Sequence, residues 1–155
     1  MGSTATNKVN PTVSVSDPRL QRLYAYWLGK KGERAAPSRA DIAPEDFHDI
    51  LPWVCLIEVV GERLRFRLVG DAVAEEYGGR LMGMYMDEVD LDWVTAQIMA
   101  EFHDSARRIV PVASKWRFTK ISGRRLEYEQ VMLPLSADGK TVNMFLCGVV
   151  GHGVG

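Results

Sequence analysis

The sequence predicts an α+β domain, and three observations carry that expectation. Apolar residues recur with a helical period between residues 17 and 32, then switch to continuous and alternating runs from residue 53 onward. Glycine-bearing turns at Gly61-Glu62, Ser122-Gly123 and Ala137-Asp138-Gly139 separate those runs, which implies antiparallel hairpins. Between the second and third runs lies a crossover long enough to hold helices, all on one face of the sheet. With 155 residues and 46% hydrophobic content, the chain suits one domain able to bury roughly 70% of its unfolded surface.

Residues 1–16 are polar and rich in Thr, Ser and Asn, and read as a flexible leader. Asp17-Pro18 marks a helix start, Asp as the cap and Pro at the first helical position. Leu20, Leu23, Tyr24, Trp27 and Leu28 then fall on one face, and Gly29 or Gly32 ends the helix, giving a helix over about 17–30. Pro44 to Leu51 predicts a short helix stopped by Leu51-Pro52. Trp53 to Val60 is nearly all apolar and predicts a central strand; Arg63 to Leu68 alternates, with Leu64, Phe66 and Leu68 on one side and arginines on the other.

A short helical turn follows from Gly70-Asp71 to Tyr77. Asp90 or Asp92 caps a longer helix whose Val94, Ile98, Phe102 and Ala106 face inward, and Pro111 ends it. Strands over 112–120, 124–135 and 141–150 complete the series, leaving 151–155 as a tail. The N-terminal helix is left to cover the opposite face of the sheet or a neighbouring molecule.

Composition excludes several functions. A formal charge of −1 gives no bulk attraction to nucleic acid or anionic lipid. In Lys115–Lys120 the aromatics Trp116 and Phe118 alternate with cations, which is the pattern of a half-buried strand rather than a base-stacking platform. No apolar run approaches the ~20 residues of a membrane helix, and residues 1–16 lack a signal-peptide core, so a cytoplasmic location is expected. His48, His103 and His152 are scattered, and Cys55 and Cys147 lack metal-type spacing, so no metal site is predicted. Phosphate-loop and nucleophile-elbow motifs do not occur. Glu127 and Glu129 share a strand face, where solvation and pairing with arginines account for them.

Several segments resemble the PAS domain family. They are Leu23–Leu28, Ile50-Leu51-Pro52, Arg65–Gly70, Gly79–Gly83, Tyr128-Glu129, Met132–Leu135 and Asp138-Gly139. In order and spacing, over about residues 17–150, they resemble a bacterial subfamily of short, stand-alone PAS proteins with an N-terminal helix. The resemblance implies a single PAS-like domain over 17–150, a five-stranded antiparallel sheet in the order 2-1-5-4-3, helices on one face and a flanking N-terminal helix. It places the first and last strands side by side at the centre, and Cys55 and Cys147 on neighbouring strands.

The resemblance also implies a cavity between sheet and central helices. Its candidate lining is Tyr77, Met82, Met84, Tyr85, Trp93 and Ile98, continued by Phe102, Trp116, Phe118, Tyr128 and Met144. The methionines would give an adaptable wall and the tyrosine hydroxyls would orient a guest; the plainer alternative is a filled core. No cofactor is expected. The Asp71–Val89 region has no cysteine of the kind flavin photoreceptors use, and His103 lies beside the inward face of its helix rather than on it, unlike a haem ligand. Arg80, Arg107 and Arg108 are the nearest candidates for carboxylate pairing, but Arg107-Arg108 suits the helix C-terminus.

Two functional readings follow. The first is a sensory and interaction module, not an enzyme, that binds a small apolar ligand or a protein partner. It would signal through its N-terminal helix and form a homodimer through Leu20, Leu23, Tyr24, Trp27 and Leu28. The second is a small cavity-bearing enzyme of isomerase or hydrolase type, which would need Asp71, His103 or Glu129 facing the cavity.

Overall fold

The computed structural model describes residues 4–9, 15–76, 80–89, 94–119, 123 and 125–153. Its strands are β1 (Thr4–Val9), β2 (Val54–Val60), β3 (Arg63–Val69), β4 (Val112–Thr119), β5 (Arg125–Leu135) and β6 (Met144–Gly153). The helices are α1 (Pro18–Lys31), α2 (Asp71–Glu76) and α3 (Val94–Arg108), with tighter 3-10 segments at Arg39–Asp41, Pro44–Trp53 and Met86–Glu88.

All six strands form one antiparallel sheet in the order β1-β4-β5-β6-β2-β3. The five expected strands therefore lie 2-1-5-4-3, and β1 adds a sixth at the edge. This corrects the flexible-leader reading of residues 1–16 over Thr4–Val9. Thr4 to Val9 pair with β4, Val9 opposite Val112, because the open edge of β4 offers unpaired backbone groups to a Thr- and Val-bearing segment. The tail expected at 151–155 likewise begins inside β6, where His152 pairs with Glu127.

Both faces of the sheet are covered. The face toward α2 and α3 buries Ile57, Phe66, Ile98, Phe102 and Phe145; the face toward α1 buries Leu20, Leu23, Trp27, Val131 and Leu146. Central strands covered twice carry apolar residues at successive positions, which is why β2 and β6 read as continuous hydrophobic runs. On β5 the parity is clean: Tyr128 and Met132 face the helices, Val131 and Leu133 face α1.

Helix α1 starts as its sequence predicts. Asp17 is the cap, its carboxylate accepting from the Arg19 N–H at 2.8 Å, and Gly32 closes the helix at φ 58°. The expected dimer stripe requires correction here. Leu20, Leu23 and Trp27 are buried on the chain's own sheet, and the Trp27 Nε1–H donates to the Pro134 carbonyl at 2.8 Å. Tyr24 is half-buried and Leu28 is 40% exposed, so only these two present surface outward. The helix comes so close to the sheet that a Cβ on Gly148 would stand 2.5 Å from Leu20 Cδ2.

Two local readings also change. The Pro44–Trp53 segment is two 3-10 stretches broken at Phe47, whose backbone is not helical, and the second continues through Pro52, since proline's fixed φ suits a tight turn. In β3 a register shift pairs Leu56 with Leu68 but Ile57 with Phe66. Arg67 is the extra residue, and the bulge turns Leu68 to the α1 face, away from Leu64 and Phe66.

Candidate functional site

A small cavity lies between the sheet and the central helices. The sheet supplies Cys55 and Ile57 from β2, Phe66 from β3, Gln130 from β5, and Cys147 and Val149 from β6. Val73 of α2, Met86, and Ile98 and Phe102 of α3 close it from above. Its volume is ≈ 20 Å³, room for about one water molecule. Gln130 brings the one amide among these residues and is itself buried.

The candidate lining is met in part. Ile98 and Phe102 border the cavity. Trp116 and Tyr128 belong to the same buried cluster without bordering it, and Trp116 Nε1 has no hydrogen-bond partner among the described residues. Met82 is corrected: it is 54% exposed. Met84 and Tyr85 are half-buried over the edge of β3, where the Phe66 N–H donates to the Met84 carbonyl at 2.9 Å. Tyr85 carries the Arg63 guanidinium 3.7 Å above its ring. Met144 packs in the cluster on the α1 face, since the parity of β6 sends it to that side. Tyr77 and Trp93 lie outside the described residues, as does the side chain of Phe118.

Cys55, Ile57, Phe66, Val73, Met86, Gln130, Cys147 and Val149 were not expected as lining. Strand parity held the signal for most of them: once Phe66 faces inward and the two central strands are adjacent, odd positions of β2 and β6 follow. Gln130 needs the register of β5, which sequence does not give.

No carboxylate, imidazole, ammonium or guanidinium borders the cavity among the described residues. Asp71 and His103 are exposed, with His103 Nε2 3.1 Å from the Glu62 carbonyl oxygen. Glu129 is buried on the opposite face. Its carboxylate accepts from the Ser16 N–H (2.7 Å), the Ser16 hydroxyl (3.0 Å) and the Asp17 N–H (3.0 Å), fastening the start of α1. The solvated-face reading therefore holds for Glu127, paired with Arg117 at 2.6 Å, and fails for Glu129.

Asp17 is the electrostatic centre of this junction. Arg19 binds it through Nε and NH2 at 3.0 and 2.9 Å, and His152 Nε2 stands 3.3 Å away. The Arg19 hydrogen bond holds the Asp17 carboxyl below the ordinary value of 3.8 against the opposing effect of burial. A depressed folded-state pKa contributes stability above the unfolded value and loses it as pH falls through the folded one. The urea midpoint of the native protein should therefore exceed that of Asp17→Asn at neutral pH, and the gap should close as pH drops below 3.8. A gap that stays constant through that range would show that the ion pair adds nothing.

Within the cavity, burial pushes the Cys147 thiol well above its ordinary value, and the adjacent Cys55 thiol adds to the effect. Both cysteines are free and buried. No described helix is long and apolar enough to cross a membrane.

The family described as PAS domain matches residues 15–150. Among solved structures, the fold is similar to that of the Rhodobacter sphaeroides LOV protein, with a TM-score of 0.50 and 12% identity, over 71% of this chain and 68% of that one. It is also similar to an RNA-binding light-oxygen-voltage receptor, with a TM-score of 0.51 and 9% identity, over 95% of this chain. The chain spans 38% of that receptor's length. At these identities the likeness is one of fold. No curated protein matches the sequence.

Proposed function

This chain belongs to the PAS domain family, a non-catalytic sensory fold, and from that premise we propose that it binds a small ligand in the cavity and reports occupancy through helix α1. One observation carries the proposal. Neighbouring residues of β5 serve the two sites: Gln130 borders the cavity on one face, and Glu129 fastens the start of α1 on the other. A guest that moves β5 changes the grip on the helix, because a packed sheet transmits small displacements.

The cavity is apolar apart from one amide and two thiols and has room for about one water molecule, so a guest as small as a single ion fits it as it stands, and an apolar molecule enters only by spreading its walls. A protein partner, or a second copy in a homodimer, would meet the outward surface of α1 at Tyr24 and Leu28.

Hydrogen exchange tests the route. Ile98→Trp overfills the cavity and pushes on the strands that line it, as a guest larger than one water molecule would, and the amides of Pro18–Lys31 report docking of the helix. We expect their protection to change by about fivefold, the effect of roughly 1 kcal/mol on a local opening. A folded Ile98→Trp protein with unaltered protection in α1 would sink the proposed route.

A further inference from the structure

Three sulfur atoms belong to residues bordering the cavity: the thiols of Cys55 and Cys147 and the thioether of Met86. The two cysteines are direct cross-strand partners on β2 and β6. Four positions along the same strand pair, the Val59 N–H donates to the Asn143 carbonyl at 3.0 Å. Hydrogen-bonded and non-hydrogen-bonded pairs alternate in an antiparallel ladder, so Cys55 and Cys147 are also a hydrogen-bonded pair, their α-carbons roughly 5.5 Å apart. Both side chains leave the sheet on the cavity side, which sets the two thiols side by side.

We infer that this cavity is a binding site for a soft, low-coordinate cation of the Cu(I) class, held by Cys55 Sγ and Cys147 Sγ with the Met86 sulfur as a weaker third donor. The inference rests on the reading of the same cavity as the ligand site. Thiolate and thioether donors select Cu(I), and a bare ion needs no more room than the cavity gives. Zinc is disfavoured, because it seeks four nitrogen, sulfur or oxygen donors in a tetrahedron.

Charge fixes the stoichiometry of protons. The described lining carries no cation or carboxylate to balance a charged complex, and an uncompensated charge in apolar surroundings is costly. A monovalent ion that displaces one proton leaves the site neutral. One S–H bond breaks, one S–metal bond forms, and the proton leaves to solvent. The second thiol and the thioether donate lone pairs. No electron is transferred. Binding therefore releases one proton per ion and tightens as pH rises.

The test is anaerobic titration of the full chain with Cu(I) supplied as its acetonitrile complex. Thiolate-to-copper absorption in the ultraviolet, a chromogenic Cu(I) chelator as competitor, and proton release are the readouts. One equivalent should bind with one proton released, and Zn(II) at the same concentration should not compete. Cys55→Ser and Cys147→Ser should each weaken binding by more than the roughly 10–100-fold that losing an outer-shell partner costs, and Met86→Leu by about tenfold.

A wild-type titration without a saturable band overturns the assignment, as do serine variants that bind like the wild type. If a serine variant does not fold, the wild-type stoichiometry and the Met86→Leu comparison decide. Failure of Cu(I) binding while Ile98→Trp still alters exchange in α1 removes the metal assignment alone. Failure of both removes the ligand-site reading too.

Discussion

Gly70→Ala should destabilise the domain by about 3 kcal/mol or more, the upper end of what overpacking costs, and lower its thermal midpoint by on the order of 10 °C. A Cβ at this position would stand 2.3 Å from the Leu51 carbonyl oxygen and 2.4 Å from that of Pro52. Both are backbone atoms, so no rotamer change relieves the clash. Gly70 is also held from its other side, its N–H donating to the Val54 carbonyl at 2.8 Å and its carbonyl accepting from Ala74 at 3.0 Å. Two of the segments that carry the PAS resemblance, Ile50-Leu51-Pro52 and Arg65–Gly70, meet at this contact. Gly29→Ala is the control: nothing lies within 4 Å of its added Cβ, and in a helix the change should be neutral or stabilising by up to about 1 kcal/mol. Thermal denaturation of the two variants checks both statements, and equal midpoints would remove the close-approach argument.

Trp27→Ala should cost about 3–5 kcal/mol, the range for truncating a large buried aromatic. Trp27 is 1% exposed, stacks on Tyr24 with ring centroids 6.2 Å apart, and leaves the Pro134 carbonyl without its donor when removed. Trp27→Phe keeps most of the packing and loses the hydrogen bond, so it should cost about 1 kcal/mol beyond the small volume change. The expected outcome of a charge at position 27 is therefore loss of the fold rather than dissociation of a dimer. Leu28→Glu separates the two: it should leave the urea midpoint unchanged and weaken any association through the outer face of α1. Denaturation and sedimentation velocity on Trp27→Ala and Leu28→Glu, side by side, read this directly. A Trp27→Ala protein of native stability would mean that α1 is not docked as described.

How much was legible in advance depends on the residue's reach. Asp17-Pro18 specifies a helix start from two adjacent residues, and the structure has it there. Ile98 and Phe102 were placed on the inward face by a spacing of four, which helical geometry enforces. Met144 and Met82 were misassigned because their type suits a cavity but their position does not. One sits on the wrong parity of β6 and the other in an exposed turn. Leu68 obeyed the alternation in sequence and broke it in space, since one bulge residue reverses the faces of a strand. Glu129 looked like surface charge, and only the return of Ser16 and Asp17 across more than 110 residues of chain gave its buried carboxylate hydrogen-bond partners.

The sequence by itself determined the order of elements from α1 onward, the α+β class and the hairpins, because helix caps, turn residues and hydrophobic period act over a few residues each. Tertiary structure alone decided which neighbours those elements have. It laid α1 on the outer face of its own sheet, spending on the core a stripe that sequence offered equally to a partner. It brought Cys55 opposite Cys147 and set Gln130 and Glu129 back to back on one strand. Register and face are settled by contacts between residues far apart in the chain, and no local pattern encodes them.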